Sequence, residues 1–342
     1  MKSIWVTGHG GPEVLELREG PDPVPAADEV RVRVAAAGVN FAEIMARKGF
    51  YPDAPHPPCV LGYEGAGVVD SVGAGVRGLA VGDRVVYVSR FSGQADLVCV
   101  PHERVYKMPA SMSFEEAAAL PVNYLTAYHM LFRVTRIAPG DHVLIHMAAG
   151  GVGTALIQLC RTVPDVTTYG TCSAGKHDYV REQGLMHVID YHTQDYIQEI
   201  TRLTHGRGVD FVYNALGGRD WSRDYSVLRP GGTLVAFGIA NASNGERRGF
   251  LRLLKVLAHS PILTPIKLMN DNKGYAGVNM GRLFGETAVL REAMMALFSL
   301  YERGKIRPHV DQTFPFSQVR EAFASLEHHK NSGKVLLRPD AV

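Results

Sequence analysis

The chain has 342 residues, of which 46% are apolar and 20% charged, with a formal net charge of +2. That length exceeds what one hydrophobic core ordinarily fills, so two domains are expected. The near-balanced charge excludes a nucleic-acid platform, which would concentrate basic residues on one face.

The four cysteines, Cys59, Cys99, Cys160 and Cys172, lie far apart and form no CxxC pair, which argues against a disulfide framework or a thiolate zinc cage. No window reaches the ~18–20 apolar residues of a membrane span. The opening MKSIWVTGHGG turns to glycine before a secretory apolar core develops, so a cytoplasmic location is expected.

From residue 1 to about 118 the texture is β-rich. Short runs at 30–35, 65–69 and 83–89 are punctuated by glycine and proline, as in a small barrel. Ser113-Phe114-Glu115-Glu116 then reads as a capping box that starts a helix. Strand-like runs at 143–147, 166–171, 187–190, 209–214 and 233–238 follow, with helical patterns at 154–160, 176–183 and 193–203 between them. Strands alternating with helices predict a doubly wound parallel sheet, an α/β fold with its ligand at the carboxyl ends of the strands. A long helix pattern at 286–301, a run at 305–310, a helix at 316–326 and a strand at 335–337 complete the chain.

The organising stretch is DHVLIHMAAGGVG, residues 141–153. It reads strand, glycine turn, helix, the order in which backbone and helix N-terminus receive a pyrophosphate. Ala148 stands where the usual fingerprint has its first glycine. The turn Ala149, Gly150, Gly151, Val152 and Gly153 is therefore the expected dinucleotide seat. About 20 residues further on, an NAD-specific site usually offers an acid to the ribose. Here the second strand runs into Ser173 and Lys176, with Tyr191 after the third. A hydroxyl and an ammonium suit a 2′-phosphate, so NADPH is expected, with NADH as the second choice.

The motifs GVNFAEIMARKGFY (38–51), EEAAALPVNYLTAY (115–128), HMAAGGVG (146–153), QLCRT (158–162), IDYHTQDY (189–196) and NSGKVLL (331–337) resemble the zinc-free quinone oxidoreductase branch of the medium-chain dehydrogenase/reductase superfamily. Within it the likeness runs to the vesicle amine transport protein homologues. The resemblance implies a GroES-like β-barrel substrate domain, residues 1–119 with 281–342, around a Rossmann nucleotide domain, 120–280. It also implies a homodimer paired through strands near 275–280. Further nucleotide contacts implied are Thr126, Asn214, Ala215, Gly238, Ile239, Asn279 and Met280, with Asn331 and Lys334 closing on the phosphates.

Zinc-dependent relatives place metal ligands where this chain has Asn40, Tyr63 and Val122, none of comparable ligand strength. The 14 histidines contain no HExxH, and His142 and His146 fall on a strand. No catalytic metal is expected. Without a Lewis acid, hydride addition to a polarised C=C remains feasible. Asn40, Tyr51 and Tyr63 are the candidate donors to the developing oxyanion, tyrosine being protonated at neutral pH. The proton donor is left open between Tyr63 and water.

The expected activity is NADPH-dependent reduction of an activated alkene. The resemblance leans to a 2-enoyl-CoA such as 3,3-dimethylacrylyl-CoA, reduced to isovaleryl-CoA, with a quinone as the nearest alternative. Residues 246–273, ERRGFLRLLKVLAHSPILTPIKLMNDNK, admit three readings: amphipathic helices covering a substrate cleft, a basic grip on coenzyme A phosphates, or a peripheral membrane contact. The last would suit a nucleotide-regulated lipid-binding protein and is not expected to prevail.

Overall fold

The computed structural model describes residues 1–242 and 250–340. The chain gathers into two compact units, 1–125 with 280–340 and 126–242 with 250–279. The first cut lies beyond the expected residue 119. Residues 120–125 stay with the first unit, where Val122 N donates to Glu64 Oε2 at 2.6 Å, and helix Phe114–Ala119 before them packs on strands Glu29–Val39 and Glu64–Val72. Its start is the capping box: Ser113 Oγ accepts from Glu116 N at 3.1 Å, and Ser113 N donates to Glu116 Oε2 at 3.1 Å.

The first unit is built on a seven-stranded sheet. Its order is Val310–Pro315, Lys334–Arg338, Glu29–Val39, Glu64–Val72, Arg84–Val88 and Val105–Lys107, with Leu97–Pro101 also paired to Glu29–Val39. The alternation of EVRVRV sends Val30, Val32 and Val34 inward to a core with Val69, Val85, Tyr87 and Val98. A smaller sheet orders Leu15–Glu19, Lys2–Val6 and Cys59–Val60. The two C-terminal strands join the main sheet, so this unit uses both chain ends. The run at 305–310 ends where strand Val310–Pro315 begins.

In the second unit six strands run parallel in the order His187–Asp190, Thr167–Cys172, His142–Ile145, Val209–Asn214, Leu228–Ala236 and Gly274–Gly277. Numbered by appearance the order is 3-2-1-4-5-6, with the reversal between His142–Ile145 and Val209–Asn214. The first strand ends at Ile145, two residues short of the expected run, because Met147 adopts φ 52° to enter the turn. His146 accordingly stands just beyond the strand. The helix expected from 193 begins at Tyr196, because Asp190 holds the turn between them: its carboxylate accepts from His192 N and Thr193 Oγ1, and its carbonyl from Gln194 N at 2.8 Å.

Within residues 246–273, helices Phe250–Ala258 and Pro265–Asp271 form. The stretch 246–249, with two of the arginines, lies outside the described residues. Among the described residues no helix is long and apolar enough to cross a membrane.

Candidate functional site

Parallel strands bring all their carboxyl ends to one edge, and most sequence-derived nucleotide residues of the second unit fall there. Along that edge stand Tyr191, Ser173 and Lys176, the turn 149–153, Asn214 and Ala215, Gly238 and Ile239, and Asn279. Helix Gly151–Cys160 begins at this turn, and no side chain caps it. Its first N–H groups and the positive end of its dipole face the position a pyrophosphate would take. Gly153 is required by close approach: a Cβ there would meet Met147 O at 2.5 Å and Ala148 O at 2.6 Å. Gly238 similarly lies against Ala215, with Ala215 O at 3.0 Å from a built Cβ.

The chemistry of this edge fits a phosphorylated ribose. Ser173 and Lys176 follow the second strand, and Lys176 is close enough to act on Cys172, whose thiol burial pushes up to about 11 while the ammonium pulls it back. The nearest acid on the neighbouring strand is Asp190. Its two oxygens accept from His192 N at 3.0 Å and Thr193 Oγ1 at 3.1 Å. That carboxylate is occupied with its own turn rather than presented to a ribose diol.

Thr126 is 6% exposed on helix Pro121–Tyr128, which continues into wider π-helical turns at His129–Val134. Met280, Asn331 and Lys334 belong to the first unit. Asn331 Nδ2 donates to Gly333 O at 2.7 Å, a turn-fixing bond. The expected phosphate role of Lys334 does not match its placement. Its side chain is 3% exposed, and its ammonium donates to Asn40 Oδ1 at 2.6 Å and makes a short ion pair with Glu64.

That ion pair sits in a polar cluster of the first unit. Glu64 Oε1 accepts from Asn40 Nδ2 at 2.9 Å, and Oε2 from Val122 N at 2.6 Å. Asn40 stands at the N-cap of helix Phe41–Arg47, where the Glu43 carboxylate accepts from Asn40 N at 2.6 Å. Both polar ends of the Asn40 amide are therefore taken by Glu64 and Lys334, so the amide is aimed inward rather than at a substrate. Burial pushes the Glu43 carboxyl up to about 8, with the Asn40 N–H and the Lys334 charge pulling the other way. Two of the three places where zinc-dependent relatives carry ligands, Asn40 and Val122, converge here on Glu64. An ammonium already neutralises that carboxylate, and like-charge repulsion opposes a divalent cation beside it. The residues do not fit a catalytic zinc, and among the described residues no group of three His, Cys, Asp or Glu side chains could hold a metal.

Tyr63, at the third place, points elsewhere. Its ring is 3% exposed and packs against Tyr51, Phe91 and Phe284 with centroids at 6.3, 5.2 and 6.1 Å. The hydroxyl is buried and meets no hydrogen-bond partner of good geometry among the described residues. Burial, and then the Tyr51 hydroxyl beside it, hold this phenol well above its ordinary range. Such a group keeps its proton at neutral pH and stands beside the Tyr51 hydroxyl in an aromatic box. Sequence reasoning missed Phe91 and Phe284 as walls of that box, and Glu43 and Glu64 as partners of Asn40. The only hint of Glu64 was its place next to Tyr63 in GYEGAG.

Comparisons with known proteins agree with this architecture. Residues 26–125 match the alcohol dehydrogenase GroES-like domain, and residues 183–337 the family described as zinc-binding dehydrogenase. The human synaptic vesicle membrane protein VAT-1 homolog is 42% identical over 341 residues, covering 99% of this chain and 86% of the relative. The Escherichia coli quinone oxidoreductase solved in complex with NADPH superposes with a TM-score of 0.86 at 30% identity, covering 99% of this chain and 100% of that one. The CurK enoyl reductase structure gives 0.85 at 26% identity, covering 99% of each. The chain belongs to the medium-chain dehydrogenase/reductase superfamily of oxidoreductases, in the quinone-oxidoreductase-like branch that also holds the VAT-1 homologues.

Proposed function

We propose that this chain is a zinc-independent, NADPH-dependent reductase of carbon–carbon double bonds conjugated to a carbonyl, with a 2-enoyl thioester as its substrate class. The observation that carries the reading is the Tyr63 hydroxyl, a buried, protonated donor in a box of aromatic rings. When bound, the dihydronicotinamide supplies hydride to the β-carbon of the acceptor. Tyr63 donates a hydrogen bond to the carbonyl oxygen, where negative charge collects as the enolate forms. Tyr51, Phe91 and Phe284 exclude water around that bond and offer flat apolar surfaces to a planar conjugated system. Ser173 and Lys176 hold the 2′-phosphate, and the uncapped helix at Gly151 the pyrophosphate. A homodimer paired through the edge strand Gly274–Gly277 belongs to the same proposal.

NADPH oxidation by purified protein with 3,3-dimethylacrylyl-CoA, a simple enone and a 1,4-quinone, each product being identified, tests this directly. Saturable formation of isovaleryl-CoA with NADPH, and a large loss in Tyr63→Phe, is the expected result. Quinone turnover alone would replace the thioester by a quinone acceptor, and silence on all three would remove the enzymatic reading.

A second reading, binding to a lipid surface, is favoured by the exposed Leu254, Leu257, Ile262, Ile266 and Met269 around helices Phe250–Ala258 and Pro265–Asp271. Flotation with anionic liposomes in the absence of reductase activity would bring that reading forward.

A further inference from the structure

Beneath the carboxyl edge of the second unit lies a buried polar cluster that the proposed chemistry does not use. At its centre is Asp224, fully buried on helix Arg219–Val227. Its Oδ1 accepts from the Tyr196 hydroxyl at 2.9 Å and lies 2.7 Å from His146 Nε2. Its Oδ2 accepts from Asn214 Nδ2 in a short hydrogen bond. The opposite end of that amide is equally committed: Asn214 Oδ1 accepts from Leu216 N at 2.6 Å and Gly217 N at 3.2 Å. On its other side, His146 Nδ1 lies 3.1 Å from Thr171 Oγ1, and Thr171 O accepts from Ala148 N at 3.1 Å.

One carboxylate thus reaches two turns of the edge. Through His146 it touches the start of the glycine turn, and through Asn214 it touches the turn after the fourth strand. Polarity makes the second link directional. An ionised carboxylate only accepts, so Asn214 must present its NH2 to Asp224 and its oxygen to the loop. A flipped amide would set oxygen against carboxylate and NH2 against two N–H donors. The loop so fixed has little freedom elsewhere. Gly217 and Gly218 have φ of 87° and 68°, and a Cβ at either would meet Ile239 Cα or Val256 Cα at 3.2–3.3 Å.

We propose that Asp224 is a positioning residue for the dinucleotide: it orients the Asn214 amide and the His146 ring, and through them the 214–217 turn and the glycine turn. The inference rests on the NADPH reading above. Its signature is polarity rather than the mere presence of buried hydrogen bonds.

The test is a polarity exchange read by fluorescence titration with NADPH, alongside thermal unfolding without nucleotide. Asp224→Asn turns one of the two acceptors into an NH2 that must face either the Asn214 NH2 or the Tyr196 hydroxyl and His146, and its dissociation constant for NADPH is expected to rise by about tenfold, the scale of one charge-assisted hydrogen bond. The double variant N214D/D224N restores the pattern in reverse. Its Asp at 214 accepts from Leu216 N, Gly217 N and the new amide, and binding should return to within about threefold of wild type. A folded Asp224→Asn protein that binds within about twofold of wild type overturns the inference. So does a folded exchange variant that stays weak, since a merely structural role would move unfolding and not follow polarity. Should Asp224→Asn fail to fold, the exchange variant alone decides by the same criterion. Wild-type protein that binds neither NADPH nor NADH would instead overturn the functional reading on which this one stands.

Discussion

In the first unit a buried cation, Lys334, lies between Glu64 and Asn40 with Glu43 alongside. In the second, a buried anion, Asp224, is surrounded by Tyr196, Asn214 and His146. Both clusters are buried, but they resist change differently. Loss of the cation leaves the buried Glu64 carboxylate with no opposite charge. Loss of one donor around Asp224 leaves the carboxylate with its other donors. A charge balanced by one opposite charge is therefore a brittle support, and a charge spread over several dipoles a graded one.

The largest expected effect breaks the brittle support. Lys334→Met should lower stability by about 3–5 kcal/mol, the usual loss when one partner of a buried ion pair is removed. The added change Glu64→Gln should recover part of it. By contrast His146→Gln, which keeps a donor for Asp224, should lose about 1 kcal/mol. Thermal and urea unfolding of the three variants would measure the difference, and equal losses would erase the distinction.

Turnover and cofactor affinity sharpen the comparison next. Tyr63→Phe should lower kcat by about 100-fold, as loss of one oxyanion donor does, with the NADPH dissociation constant unchanged in a direct titration. Lys176→Ala should do the reverse, weakening NADPH by about tenfold while sparing NADH, as expected for one charge-assisted contact. Parallel titrations with the two nucleotides check it, and equal weakening of both would remove the 2′-phosphate assignment.

The smallest effect is a slope. Burial raises the Glu43 carboxyl from its ordinary 4.5 to about 8. Between those values the folded protein holds a proton that the unfolded chain has released. Its contribution to stability is thus complete below about pH 4.5 and lost as pH rises through about 8. Glu43→Gln should flatten the decline in Tm between pH 6 and 9 relative to wild type. An unchanged difference at every pH would show that this carboxyl does not titrate there.

The parallel sheet and the glycine turn at its carboxyl edge were legible because their signals are local: an apolar run, a glycine turn, a helix start. The strand 209–214 and the capping box at Ser113 appear where their patterns put them. The buried clusters were not legible in this way. Glu64 and Lys334 are 270 residues apart, and a lysine beginning a strand ordinarily reads as a solvated end. Asp190 is informative only through what its oxygens accept, from His192 N and Thr193 Oγ1, which the sequence does not show. Asp224 stands in the polar run RDWSRDY, and only the burial of the following Tyr225 and Val227 marks that face as internal. Local periodicity reports which elements form, whereas charge pairing is settled by long-range packing that periodicity does not encode.

Phe91 adopts φ 70° and the following Ser92 φ 62°, a backbone region that bulky L-residues ordinarily avoid at a cost of about 1–2 kcal/mol each. Glycine at 91 would relax that tension and remove the ring that faces Tyr63. The aromatic box is thus kept under load by its own main chain, and mutations that make this corner more comfortable would also make it emptier.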